Sequence, residues 1–131
     1  MTASLPHIVR ERAAGRCEYC RLPQAATSVP FEIDHIISRK HHGSTIASNF
    51  ANACWYCNGF KGSDISGLDP LTRKLTRLFH PRRHKWTHHF RYDGPVLIGR
   101  TAIGRTTVRV LQINCEEALT LRESLIDEGL F

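Results

Sequence analysis

The chain has 131 residues, enough for one domain with a core but few enough to profit from a staple. Hydrophobic residues make up 41% and charged residues 23%, which excludes wholesale disorder. No apolar run approaches the ~20 residues of a membrane span, so a span is excluded and no membrane partner is expected. A formal net charge of +6 and a pI of about 9.4 are permissive for nucleic acid or another polyanion. The opening stretch, Met1 to Gly15, carries charges where a secretory signal would hold an apolar core, so a cytoplasmic setting is the expectation. Disulfides are rare there, and paired Cys-x-x-Cys then points to metal.

In chain order, Ser4-Leu5-Pro6 reads as a helix start, with Ser as N-cap and Pro tolerated in the first turn. Gly15 is placed to end that helix in a left-handed conformation. Cys17-Glu18-Tyr19-Cys20 follows as a tight knuckle, and Pro23 to Pro30 reads as loop. Phe31 to Ile37 has strand character, interrupted at its centre by the polar pair Asp34-His35. A compact loop over Ser38 to Ser48 leads to a second short strand, Phe50 to Ala53. A helix then starts at Cys54 or Trp55 and runs to about Lys61, before Gly62-Ser63-Asp64 breaks it. Beyond Gly67, Leu71, Leu75 and Leu78-Phe79 are spaced to share one face of a short helix or an extended arm. Trp86 to Tyr92 and Val96 to Ile98 read as two strands about an Asp93-Gly94 turn. Thr101 caps a helix to about Leu111. Asn114 caps the last one, where Ala118, Leu121 and Leu125 form an apolar stripe.

Cys17, Cys20, Cys54 and Cys57 offer four thiolates in two turns, which suits tetrahedral Zn2+. With all four positions taken by protein, that ion would be structural, and Cys115 is left without a partner. Asp34-His35 is a weak signal alone. It gains weight because hydrolysis of a phosphodiester needs a base for water and a cation at the phosphate. Neighbours on a strand point to opposite faces, so a division of labour fits: Asp34 faces the metal and His35 the water. Asn58, on the following helix, supplies a neutral oxygen for a hard cation whose other ligands are water and phosphate, as Mg2+ prefers.

Taken together, Cys-x-x-Cys, Asp-His, Gly-Ser, Asn-Phe, Cys-x-x-Cys-Asn and Lys resemble the HNH endonuclease family in its zinc-containing form. The resemblance covers roughly Arg16 to Gly62. It implies a ββα-metal (His-Me finger) core, His35 as general base, Asp34 and Asn58 as ligands of a catalytic Mg2+ or Mn2+, and Asn49 holding the loop that supports the base. It also implies one-metal cleavage leaving 5′-phosphate and 3′-hydroxyl ends. Two positions depart from the family pattern. Asn58 stands where the final His is often found, and Phe50 stands where Leu is more usual.

The fold class that follows is α+β. A single domain over 1–131 would contain a nuclease core at about 16–62, clamped by the four-cysteine zinc site. Flanking helices and a basic extension at about 67–131, with a β-hairpin and two helices, would complete it. Between Leu71 and Arg91 lie seven Lys or Arg and no acid. Of these, Arg73, Lys74, Arg77, Arg82, Arg83 and Lys85, with Arg39 and Lys40 in the core loop, are the candidates for contact with the DNA backbone. Such contacts position a duplex without reading its sequence. Lys61, one helical turn past Asn58, reaches a phosphate on one reading and is a plain surface lysine on the other. His41 and His42 read as solvated loop residues. One active site cuts one strand, so double-strand cleavage calls for a homodimer or two encounters. The alternative function is a non-catalytic, zinc-stabilised nucleic-acid-binding module, which would have no need for Asp34, His35 and Asn58 together.

Overall fold

The computed structural model describes residues 3–131. Helix α1 (Leu5–Arg12) begins where the sequence places it, with the Ser4 hydroxyl accepting from the His7 amide at 3.3 Å. Ala14 and Gly15 then turn the chain at φ 53° and 73°. The cysteine knuckle over residues 17–20 comes next, closed by a bridge between Arg16 and Pro23.

Strand β1 (Glu32–His35) pairs antiparallel with β2 (Phe50–Ala53), with His35 opposite Phe50 and Asp34 opposite Ala51. Every residue of β2 is buried, which is why this strand reads as an unbroken small or apolar run apart from Asn52. Cys54 ends β2 and caps α2 (Trp55–Lys61), its sulfur accepting from the Cys57 amide at 3.5 Å. Strand, loop, strand and helix therefore stand in the ββα order.

The extension adds two more antiparallel pairs. Strands β3 (Ser66–Leu68) and β4 (Leu75–Arg77) form a hairpin, as do β5 (Phe90–Asp93) and β6 (Val96–Gly99). Helix α4 (Ala102–Val110) lies against both, and α5 (Glu116–Asp127) ends the chain. The apolar interior runs continuously from the knuckle through Tyr19, Phe31 and Ala53 to Phe79, Phe90, Leu97 and Ile113.

Three local expectations change. Leu71, Leu75 and Leu78-Phe79 do not share a helical face: Leu71 sits in the β3–β4 turn, Leu75 is exposed on β4, and only Leu78 and Phe79 enter the core. The strand expected over Trp86–Tyr92 begins only at Phe90. Its first four residues make a helical turn, α3 (Trp86–His89), and the Trp86 indole N–H there donates to the Tyr19 carbonyl at 2.8 Å. Asn114 does not cap α5, because Cys115 takes that position. Asn114 instead accepts from the Leu97 amide and donates to the Leu97 carbonyl, both at 2.9 Å, standing in for a strand partner at the edge of β6.

Candidate functional site

Four sulfurs, from Cys17, Cys20, Cys54 and Cys57, lie within 4.8 Å of one another, all on buried residues. Among the described residues this is the only gathering of three or more His, Cys, Asp or Glu ligands. Cys20 and Cys54 have their sulfurs 3.7 Å apart. A tetrahedral ion with bonds of ~2.3 Å separates its ligands by about 3.8 Å, close to the Cys20–Cys54 spacing, so the four thiols could hold one metal ion. The thiols do not titrate alike. Burial opposes a thiolate at Cys17, yet hydrogen bonds from the other three hold Cys17 well below the usual range. Cys20 and Cys57 are pushed well above it, first by their bonds to Cys17. A bound cation would take the place of these shared protons.

Two residues that sequence reasoning passed over hold the knuckle against the core. The Glu18 amide donates to the Asn52 carbonyl at 2.8 Å, and the Asn52 amide donates back to the Glu18 carboxylate at 2.8 Å. The Asn52 side-chain amide also donates to the Arg16 carbonyl at 3.0 Å. These bonds set Cys17 and Cys20 over Cys54 and Cys57. Nothing in the spacing of Glu18 and Asn52 signals this, since the pairing exists only once β2 lies beside the knuckle.

Along β1 and α2, an open cleft of about 430 Å³ is bounded by Asp34, His35, Ser38, Lys40 and Asn58 among others. Asp34 and His35 both reach it because β1 ends at His35. Asp34 is 7% exposed. Its Oδ2 accepts from the Tyr19 hydroxyl at 3.1 Å and pairs with the Lys61 ammonium at 3.2 Å, which leaves Oδ1 for a cation. Burial raises the Asp34 carboxyl above its ordinary range, and Lys61 pulls in the opposite direction. Tyr19, itself fully buried inside the knuckle, thus ties the cysteine cluster to the cleft. Burial, followed by the Asp34 charge, lifts its hydroxyl well above the usual phenol range, so it stays a donor.

The ring of His35 is tilted on Phe50 at 4.5 Å, and its Nε2 lies 3.1 Å from the Thr45 hydroxyl. Phe50, in place of the usual Leu, is therefore a wall for the imidazole. Asn49 is buried and makes three bonds to one loop: its oxygen accepts from the Ile37 amide, and its nitrogen donates to the Ile37 and Ser44 carbonyls at 2.9 and 2.8 Å. The loop is drawn so close that a Cβ on Gly43 would fall 1.7 Å from the Ile37 carbonyl oxygen, so only glycine fits there. Thr45, ten residues from His35 in an irregular loop, gave no sequence signal.

Two of the basic candidates are committed to buried carboxylates. Lys61 is 2% exposed, with its ammonium on Asp34 and on the His35 carbonyl at 3.1 Å, so it is neither a phosphate contact nor a surface lysine. Arg82 is paired with the buried Glu18 carboxylate, and burial together with the nearby Arg12 lowers it to about 10. Arg39, Lys40, Arg73, Lys74, Arg77, Arg83 and Lys85 are exposed. Arg39 and Lys40 stand on the rim of the cleft, and His41 and His42 lie exposed just beyond it.

This geometry coincides with a match to known sequences. Residues 17–64 match the HNH endonuclease family. The HNH segment holds all four cysteines, Asp34, His35, Asn49 and Asn58, and its ββα order with a clamped cysteine cluster is that of the family fold. HNH nucleases act on nucleic acids and use divalent metals, and the match supports a nuclease-like function for this segment. Over 118 residues, 88% of this chain, the sequence is 25% identical to the protein named Septu protein PtuB of Bacillus thuringiensis. The chain spans 43% of that protein's length. No solved structure matches it. No helix among the described residues is long and apolar enough to cross a membrane.

Proposed function

We propose that this chain is a metal-dependent DNA endonuclease, with His35 as general base, a divalent Mg2+ or Mn2+ held by Asp34 and Asn58, and a structural Zn2+ on the four cysteines. The observation that carries the reading is the meeting of Asp34, His35 and Asn58 on one open cleft whose rim is cationic. A proton on His35 Nε2, donated to Thr45, leaves Nδ1 as the basic nitrogen for the attacking water. Asn49 fixes the loop that carries Thr45, so the imidazole is oriented before substrate arrives. Lys61 and Tyr19 hold the Asp34 carboxylate through Oδ2, leaving Oδ1 for the cation. When bound, the divalent cation supplies neutralising charge at the scissile phosphate and the departing oxygen. Arg39 and Lys40 meet the neighbouring phosphates. One such site cuts one strand, and cleavage of both needs a homodimer or a second encounter.

The test is conversion of supercoiled plasmid by wild type and His35→Ala, with Mg2+, with Mn2+ and with chelator. Wild type should nick or linearise DNA only with metal. His35→Ala should lose about 10²- to 10⁴-fold in rate with its fold and zinc intact. If both proteins shift DNA on a gel and neither cuts it, the chain is a zinc-held binding module and this reading falls.

A further inference from the structure

The extension carries a surface that the cleft chemistry leaves unused. In the β3–β4 hairpin, Gly67 and Thr76 pair on the face toward α4. A Cβ on Gly67 would meet the Val110 side chain at 2.5 Å, so that face packs against α4. By strand alternation the other face carries the cross-strand pairs Leu68–Leu75 and Ser66–Arg77. It is open: Leu68 is 51% and Leu75 76% exposed, with Leu71 in the turn at 71%.

That turn is built to hold its shape. Asp69 is fully buried, accepts from the Leu71 amide and the Thr72 hydroxyl, and receives Arg105 of α4 in a two-pronged pair at 2.9 and 3.0 Å. The Arg73 amide bonds the Asp69 carbonyl at 2.8 Å, with Arg73 itself at φ 65°. A rigid tip thus displays Leu71, Arg73 and Lys74, with Arg77 further along the same face. From Ile65 to Tyr92 the only acid is Asp69, and Arg105 already neutralises it.

Three leucines among unopposed cations need a partner that is anionic outside and apolar within. A duplex minor groove has that character, with phosphates on its rims and sugars and base edges between them. The position agrees. A groove of about 250 Å³ lined by Ile37, Lys61, Asp64, Ser66 and Arg77 borders the candidate active-site cleft along Ile37–Ser38 and Gly62–Asp64. The hairpin therefore lies where a duplex leaving the cleft would pass. Resting on the nuclease reading above, we infer that the outer face of the β3–β4 hairpin docks duplex DNA in its minor groove. Leu68, Leu71 and Leu75 meet sugars and base edges there, and Arg73, Lys74 and Arg77 meet phosphates.

The test measures anisotropy of a labelled duplex against salt, without added divalent metal. It compares the wild type, Arg73→Ala/Lys74→Ala/Arg77→Ala and Leu68→Ser/Leu71→Ser/Leu75→Ser. All six side chains project from the surface, and thermal melts establish that the folds are kept. The cation variant should bind about tenfold or more weakly, with its log–log salt slope reduced by about 2–3, at ~0.9 per phosphate lost. The leucine variant should also bind about tenfold more weakly, but with the wild-type slope, because its loss is not ionic. Wild-type affinity in both variants while plasmid cleavage proceeds overturns the docking surface and spares the nuclease. Lowered affinity in both without cleavage by wild type overturns the nuclease and spares the surface. If the leucine variant loses binding to phosphatidylserine vesicles and keeps its DNA affinity, the face serves a membrane and the inference is wrong.

Discussion

Lys61→Met isolates one contact. The Lys61 ammonium and the Asp34 Oδ2 are 3.2 Å apart, on side chains 2% and 7% exposed. At an effective dielectric of ~20 the attraction at this separation is about 5 kcal/mol, most of it offset by the desolvation of both groups. The pair is thus a small net gain while intact and a large loss when halved. Removing Lys61 leaves the Asp34 carboxylate buried with only the Tyr19 hydroxyl, at a cost of about 3–5 kcal/mol, a large share of the ~5–15 kcal/mol that holds a domain folded. In Asp34→Asn/Lys61→Met the charge is gone, Tyr19 keeps a partner and Met fills the volume. That double variant should lose only about 1–2 kcal/mol, mostly the hydrogen bond to the His35 carbonyl. The assay is urea unfolding of the zinc-loaded protein without other divalent metal, followed by tryptophan fluorescence, since Trp86 is bonded to Tyr19. The reasoning is refuted if the single variant loses under about 1 kcal/mol, or if the double variant is no more stable than the single.

The cysteine cluster should contain one zinc per chain. Cys54→Ser or chelation under reducing conditions should unfold the protein by circular dichroism, because a structural zinc contributes ~10 kcal/mol or more against a similar total. A native spectrum in the metal-free protein would show that the cluster is not structural. Stability should also fall with acid. Burial, followed by Arg83, Arg77 and His84, lowers His80 to about 4 from 6.5, and His84 and His89 shift the same way. The unfolded chain then takes up protons that the folded one refuses, so stability is complete above about 6.5 and declines toward about 4. His80 accounts for on the order of 1–2 kcal/mol of this after solvent screening. Thermal midpoints of wild type and His80→Gln across that window should converge at the acid end, and parallel curves would contradict the assignment. Thr45→Val should slow plasmid cleavage by about 10- to 100-fold through a misaligned His35, with an unchanged melting point and with rescue by Thr45→Ser. Full activity in Thr45→Val would remove Thr45 from the site.

The ββα order was legible because each of its parts has a local cause. Cys54 opens a helix in its own Cys-x-x-Cys, Phe50 to Ala53 reads as a short strand, and the apolar residues around Asp34-His35 read as another. The cysteine spacing likewise announced a metal cluster before any contact was known. What failed were assignments that depend on partners remote in sequence. Trp86 turns helical to reach Tyr19, 67 residues away. Asn114 forsakes a helix cap for the open edge of β6, because an unpaired strand edge offers it two hydrogen bonds at once. Lys61 and Arg82 belong by sequence to the basic surface, yet the fold carries each to a buried carboxylate, where an unpaired charge would cost far more than an exposed lysine or arginine gains. Sequence alone determined which residues could bind metal, turn the chain and carry charge, because those capacities reside in single side chains and short spacings. Only the tertiary structure decided which cations remain free for phosphate, how Tyr19 links the cysteine cluster to Asp34, and that three leucines stay in water. Those outcomes depend on what burial sets beside each group.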